Sequence, residues 1–382
     1  MNITNFGIGY IVPFLFVLTV VVFFHELGHF MVARWCKVDV EVFSVGFGRA
    51  LWKWRDKKNT IWQICWLPLG GYVKFAGDQS PASTPDRKEN EKLSEEERAG
   101  NFHYKPLWQR SLVVAAGPFA NFLLAIIVFA GLFMVSGQQV TLPVIDEVIA
   151  KSAAERAGLQ KGDFIQQIDG RKIESFSDLR RIVSVSPNQS LNFRLLRDSQ
   201  EIELMVTPDF IEERDRFGNV YSVGQLGIRR ILNAENTRHI RYGPLNAITK
   251  GTEQTVFIIT QTMKALGRII TGRDSMEQLG GPLRIAQISG QMASLGMAAL
   301  MNIIAIISVS IGLINLFPIP LLDGGHLLYY GVEAVLRRPL SAKLQEIGFR
   351  IGLGFVAGLF LLVTWNDLAQ LKVFDFLQKW FT

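Results

Sequence analysis

The residues able to do chemistry are concentrated in one string, His25-Glu26-Leu27-Gly28-His29. Two histidines four apart stand one above the other on a single face of a helix. Both imidazoles can then reach one metal ion, and Glu26, beside His25, can reach a water held there. The chain has only 5 histidines, which makes the spacing a rare accident. A lone histidine is ordinarily a satisfied core residue. This pair, however, closes an apolar run without Asp, Glu, Lys or Arg from Met1 onward. Ionisable groups deep in such a run are expensive and functional by default.

Catalytic zinc takes three protein ligands and keeps a position for water. The stretch from Asn315 to His326, with Pro318 and Pro320 inside it, offers the third donor. Asp323 ends the uncharged run from Ile285 to Leu322. A divalent ion, one aspartate and one hydroxide sum to zero, which a low-dielectric site tolerates better than a net charge. Zinc lowers the pKa of its water toward about 7 and polarises a carbonyl. Glu26 would accept the water proton and pass it to a leaving amine, which is the chemistry of peptide-bond hydrolysis. The plainer account of Asp323, a helix-end charge, is weakened by the rarity of acids at such positions.

Positioning these groups requires membrane helices. A bilayer core of about 30 Å needs roughly 20 apolar helical residues. Four stretches qualify: Met1 to His25 continuing to Ala33, Ser111 to about Gly137, Ile285 to Leu322 (of which Leu295 to Leu316 is the expected helix), and the short, Gly-rich Ile351 to Trp365. The first has no basic start, so it reads as a span and not as a cleaved signal peptide. Only 19% of residues are charged, against about 25% in soluble domains, which excludes an ordinary soluble enzyme and a disordered chain. The net charge of +6 is not arranged as a nucleic-acid stripe. Arg34, Lys37, Arg49, Lys53, Arg55, Lys57 and Lys58 follow the first span, Lys105 and Arg110 precede the second, and Arg337, Arg338, Lys343 and Arg350 link the last two. The positive-inside rule then puts those links in the cytoplasm, and the termini and the long segment between spans two and three outside. Cys36 and Cys65 fall on the reducing side, as free thiols.

The fold expected is a multi-pass α-helical membrane protein of four transmembrane helices, with an inserted α+β domain and a membrane-associated β-hairpin region. Val38 to Phe75 alternates as strands, and Trp52, Trp54, Trp62 and Trp66 place it at the membrane interface. Gly77 to Gly100 is a polar loop. Between Leu142 and about Pro208, β-type runs at 143–148, 164–168, 191–196 and 201–206 alternate with helix-like stretches at 152–157 and 177–185. The string from Ala154 to Gly170 resembles the core of a PDZ domain, a module that binds peptides by strand addition. Asp209 to Ile240 reads as strands appended to it, and Tyr242 to Thr271 as an amphipathic helix. The organisation expected is 1–35 first span, 36–106 cytoplasmic-side strands and loop, 107–137 second span, 138–210 PDZ domain, 211–290 appended strands and amphipathic helix, 291–322 third span, 323–350 link, and 351–382 fourth span and tail.

HELGH at the end of the first span, the Asn315–Gly325 string and a PDZ domain between them together resemble the site-2 protease family, in its bacterial RseP-type branch. The resemblance extends to Leu69–Lys74, Gly117–Phe122 and Gly281–Leu283. It implies zinc (Zn2+) held by His25, His29 and Asp323, with Glu26 as catalytic base. It also implies that Asn315, Pro318 and Pro320 shape the substrate site and that the Gly46-Phe47-Gly48 region pairs with substrate backbone. It implies as partners single-span membrane proteins already trimmed by another protease (anti-sigma factors or remnant signal peptides), the lipid bilayer, and peptide segments at the PDZ domain. The location implied is the bacterial inner membrane, with the site toward the cytoplasm. RseP-type members often carry two PDZ domains, whereas this sequence holds one convincing copy.

Two other classes compete. A scaffold with a degenerate metal site would not need the intact histidine pair and Asp323. A metal transporter would spread its ligands across the bilayer depth instead of gathering them at one side. His103, His239 and His326 have no assigned role beyond surface or local hydrogen-bonding positions.

Overall fold

The computed structural model describes residues 7–79, 93–184, 186–214, 220–229, 237–272 and 280–370. Most of the polar loop (80–92), the Arg216–Asn219 turn and the tail after residue 370 lie outside the described residues. The chain divides into two units, Met1–Leu132 with Pro244–Thr382, and Phe133–Gly243. A π-helical turn, Gly7–Ile11, leads into α1 (Val12–Trp35), followed by β1 (Val40–Arg55), β2 (Ile61–Phe75), the short α2 (Glu95–Gly100) and α3 (Leu107–Val135). The second unit contributes β3 (Gln138–Thr141), β4 (Glu147–Val148), α4 (Ala153–Arg156), β5 (Phe164–Ile168), β6 (Arg171–Lys172) and α5 (Phe176–Ser184). It continues with β7 (Leu191–Arg197), β8 (Gln200–Val206), β9 (Asp209–Arg214), β10 (Val220–Gln225), β11 (Ile228–Arg229) and β12 (Thr237–Ile240). The chain then forms α6 (Pro244–Ile270), α7 (Pro282–Ser294), α8 (Met297–Asn315), α9 (Asp323–Leu336) and α10 (Ala342–Gln370).

Among the described residues, 4 helices are long and apolar enough to cross a bilayer: Gly9–Trp35, Leu107–Val135, Met297–Asn315 and Lys343–Leu368. The shortest, 19 residues, rises about 28 Å at 1.5 Å per residue. The long apolar run after Ile285 is not continuous helix. α7 ends at Ser294, and Gly296 takes a φ of 106°, so α8 starts on a new axis. At the other end of the chain, flanks extend the short apolar stretch 351–365 into the 29 residues of α10.

Packing of α1 explains its sequence. Val17 and Val21 bury against Leu300, Ile304 and Ile307 of α8. Gly28 faces α3 so closely that any Cβ there would overlap the Ala116 carbonyl and Ala120. Only glycine permits that approach. α3 meets α8 where the Ser308 hydroxyl donates to the Asn121 carbonyl at 2.8 Å.

α10 is fastened to α7 by one buried acid. Gly281, at the N-cap of α7, has no side chain to satisfy the first amides. Asp367, 2% exposed, supplies the cap from another helix: Oδ1 accepts from the Gly281 N–H at 2.9 Å, and Oδ2 from Leu283 and Arg284 at 3.0 Å each. Its negative charge also suits the helix dipole. Asp367→Ala should cost about 2 kcal/mol, the upper end for a lost N-cap, read as a lower unfolding temperature in detergent. Asp367→Asn, which keeps an acceptor, should lose less.

β1 and β2 pair antiparallel, and each doubles back on itself. Val42–Val45 pairs with Gly71–Lys74 on one side and lies along Ile61–Ile64 on the other, while Trp52–Arg55 pairs with Ile61–Ile64 from beyond. The reversal of β1 falls at Gly46 and Gly48, with φ of 88° and 87°, a left-handed region open to glycine. The inner face rests on α1: buried Phe43 stacks on Trp62 at 4.4 Å and meets Phe23 and Phe30 edge-on. Trp52, Trp54 and Trp66 are exposed, as an interfacial surface would have them. The turn is held where Asp56 accepts from Arg34 at 2.8 Å and from the amides of Lys58 and Thr60.

The second unit has a four-stranded antiparallel sheet in the order β6-β5-β7-β8. Ile165, Ile168, Phe193 and Leu195 point inward with Leu179 and Val183 of α5 and Leu159. Strands and helices fall where alternation and periodicity put them, at β5, β7 and β8 and at α4 and α5. Arg197 pairs with the fully buried Asp163 at 2.7 Å. The appended segment closes the unit, β11 pairing with β4 and β12 with β3. α6 exposes Leu245, Ile248, Val256, Phe257, Met263 and Ile270 along its length.

Candidate metal centre

His25 and His29 sit one turn apart on α1, each 8% exposed, with ring centroids 4.8 Å apart. Asp323 is the first residue of α9. The turn that presents it, Leu316–Leu322, is tight: Ile319 N–H donates to the Phe317 carbonyl at 2.7 Å, and Leu322 N–H to that of Ile319 at 3.0 Å. Leu321 adopts a strained φ of 109°. Pro320 seats against α10, where any side chain at Gly352 would overlap its carbonyl.

Three donors converge. His25 Nε2 lies 3.1 Å from Asp323 Oδ2, His29 Nε2 lies 3.6 Å from it, and the two Nε2 atoms are 3.2 Å apart. Donors arranged tetrahedrally around zinc at about 2.0–2.1 Å are about 3.3 Å from one another. The observed spacings straddle that value. Asp323 Oδ2 is also buried without a hydrogen-bond partner among the described residues, an arrangement that an ion would satisfy. Two imidazoles and one carboxylate are a donor set suited to zinc. The residues therefore fit the group.

Glu26 adjoins the pair, partly buried, and faces the sheet. A Cβ at Gly71 would come within 3.1 Å of its Cγ. Asn315 ends α8, Pro318 stands exposed in the following turn, and Pro320 is half-buried there, so all three lie just before Asp323. Gly46, Phe47 and Gly48 occupy the fold-back of β1. Phe47 is 40% exposed, stacks on Tyr72 and pairs with Leu67. The strand preceding them, Val42–Val45, is covered on both sides by β2, so the free edge nearest Glu26 belongs to Gly71–Val73.

Sequence reasoning assigned no part to the face of α3 that backs the histidines. Val113, Gly117 and Asn121, spaced by four, face His29 and His25. The Val113 carbonyl accepts from His29 Nδ1 at 2.9 Å, and the Asn121 carboxamide nitrogen is 3.2 Å from His25 Nδ1. A Cβ at Gly117 would overlap the His29 ring and come within 2.9 Å of His25 Cε1. The available signal was Asn121 itself, a polar side chain amid an apolar span. Gly117→Val should push both rings aside and lower zinc content and cleavage by more than about 100-fold. Gly131→Ala, in the same helix where a Cβ meets nothing within 4 Å, should change neither.

Of the unassigned histidines, His103 is engaged locally, its Nε2 2.8 Å from the buried Asp78. His326 lies in the first turns of α9 beside Tyr329, and burial holds its imidazole below the usual range. Burial likewise pushes the Tyr330 hydroxyl above its usual range.

An apolar helical unit that gathers an HExxH pair and a distant carboxylate defines a membrane metallopeptidase. The chain belongs to peptidase family M50, whose profile matches residues 13–359. It is 47% identical over 369 residues to a relative from Rhizobium meliloti with a zinc-metalloprotease name, covering 96% of this chain and 99% of that one. It is 46% identical to another so named from Agrobacterium fabrum, covering 97% and 98%. Metalloprotease MmpA of Caulobacter vibrioides is 40% identical, again covering 97% and 98%. This chain is accordingly a zinc metalloendopeptidase of a membrane.

Proposed function

We propose that the chain is an intramembrane endopeptidase. It cuts inside the membrane segments of single-span proteins already trimmed by another protease, of the anti-sigma-factor or remnant-signal-peptide type. The observation that carries this reading is the convergence of His25, His29 and Asp323 within an apolar helical unit. In it, those three side chains hold zinc and Glu26 is the general base. Zinc held by these residues would supply polarisation of the scissile carbonyl and acidification of water. Glu26 takes the proton of the attacking water on its carboxylate and returns it to the leaving amine.

A transmembrane helix hides its amides, so cleavage requires unwinding, and an unpaired amide in lipid costs several kcal/mol. A sheet edge replaces those bonds. The hairpin supports this role, with the Gly46-Phe47-Gly48 fold-back and the β2 edge beside Glu26 flanking the extended substrate. Asn315, Pro318 and Pro320 shape its other wall, the prolines interrupting helix beside the metal.

The second unit is read as a single PDZ domain that accepts a peptide segment. A groove of about 450 Å³ runs between α5 (Phe176, Leu179, Val183) and the segment Gly224–Ile228. The four long helices are read as four spans of a bacterial inner membrane. The basic residues after α1 and between α9 and α10 support a reading with the metal centre toward the cytoplasm and the PDZ unit outside.

The test is a purified chain in lipid with a tagged single-span protein, the cut mapped by mass spectrometry. Cleavage inside the apolar segment, abolished by chelation and restored by zinc, is the expected result. Cleavage confined to residues outside that segment would overturn the intramembrane assignment.

A further inference from the structure

We propose that Asn121 is a positioning residue for the metal centre, holding the His25 ring in the tautomer that presents its Nε2 lone pair. The inference rests on the ligand set proposed above.

The two imidazoles are supported differently. His29 Nδ1 faces a backbone carbonyl, Val113 O, at 2.9 Å. A carbonyl only accepts, so Nδ1 carries the hydrogen and Nε2 is left as a lone pair directed at Asp323 and His25. The tautomer of His29 is thus fixed by the main chain, whatever residue stands at 113.

His25 has no such carbonyl. Its Nε2 faces Asp323 and His29, while its Nδ1 lies 3.2 Å from the side chain of Asn121. Asn121 is fully buried, and its backbone carbonyl accepts from the Ser308 hydroxyl of α8, so its side chain lies away from solvent. Its Oδ1 is buried with no hydrogen-bond partner among the described residues. An unsatisfied buried acceptor next to an imidazole calls for an explanation.

The carboxamide supplies one, because either end can face the ring. With Nδ2 toward His25, Nδ1 accepts and the ring hydrogen sits on Nε2. Turned about its last bond, the amide offers Oδ1 instead, and Nδ1–H donates to it. The hydrogen then leaves Nε2, the only state in which that nitrogen can ligate a metal. The same turn satisfies the orphaned oxygen. Asparagine therefore serves both tautomers without adding a second buried negative charge beside Asp323. Leucine, of similar size, serves neither. Losing such an outer partner typically weakens a metal site by 10- to 100-fold.

The experiment uses the full chain in detergent: wild type, Asn121→Leu, Asn121→Asp and His25→Ala. Zinc affinity is measured by chelator competition, and thermal unfolding is followed with zinc removed. Asn121→Leu is expected to lose about 10- to 100-fold in zinc affinity with unfolding of the zinc-free protein unchanged. Asn121→Asp, which restores an acceptor for Nδ1–H, is expected to recover the affinity. Wild-type affinity in Asn121→Leu would overturn the proposal. So would a loss shared by Asn121→Asp, since an isosteric side chain that still offers an acceptor to Nδ1–H would then not suffice. Undiminished zinc binding in His25→Ala would instead remove His25 from the ligand set, a separate failure that withdraws the basis of both readings.

Discussion

Glu26→Gln is expected to lower cleavage about 1,000-fold, within the 10²–10⁴ range of general acid–base catalysis, while zinc stays bound at wild-type stoichiometry. The substitution is isosteric. Glutamine has the same length and shape, so the side chain should keep its place against the sheet at Gly71. What it loses is basicity: an amide oxygen cannot take a proton from water near neutral pH, and no proton then reaches the leaving amine. The three converging donor atoms are untouched. Rate and metal content are therefore separable in this variant, by a cleavage time course beside zinc quantification on one preparation. Activity within tenfold of wild type would remove Glu26 from the role of base.

Asp323→Asn should do the reverse. It should weaken zinc binding by more than about 100-fold, beyond what loss of an outer partner costs, and cleavage should fall with it. The carboxylate is the sole anion among the three donors. Without it, a dication would sit in a low-dielectric pocket between two neutral rings, a state disfavoured by uncompensated charge. Asparagine keeps nearly the same shape at the head of α9, so the turn from Leu316 to Leu322 should survive and the effect should be electrostatic. Chelator competition measures it, and excess zinc should restore part of the activity. Unchanged affinity would mean that another group holds the ion.

The histidine pair was readable because helical periodicity alone places residues 25 and 29 on one face. Asp323 was readable because a charge at the end of a long uncharged run is conspicuous. Neither required knowledge of tertiary structure, though their meeting did. The backing by α3 was not readable, because the pairing of Val113 with His29 and Asn121 with His25 depends on how two helices are set in register, and close contact at Gly28 decides that. The start of the third span was legible to within two residues, as Leu295 to Leu316 against the helix Met297–Asn315, but the φ of 106° at Gly296 that separates it from the preceding helix was not. In the hairpin, alternation announced strands but not their fold-back, since the irregularities at Gly46 and Gly48 set the register there. The capping of α7 by Asp367 joins residues too far apart for any local signal.

That last contact bears on how the molecule is made. The opening amides of α7 are synthesised more than eighty residues before the carboxylate that satisfies them. During translation and insertion they must rely on water or headgroups until the end of α10 emerges. Completion of the chain is thus built into its assembly: a ribosome that stalls before residue 367 leaves a product whose seventh helix has no finished beginning.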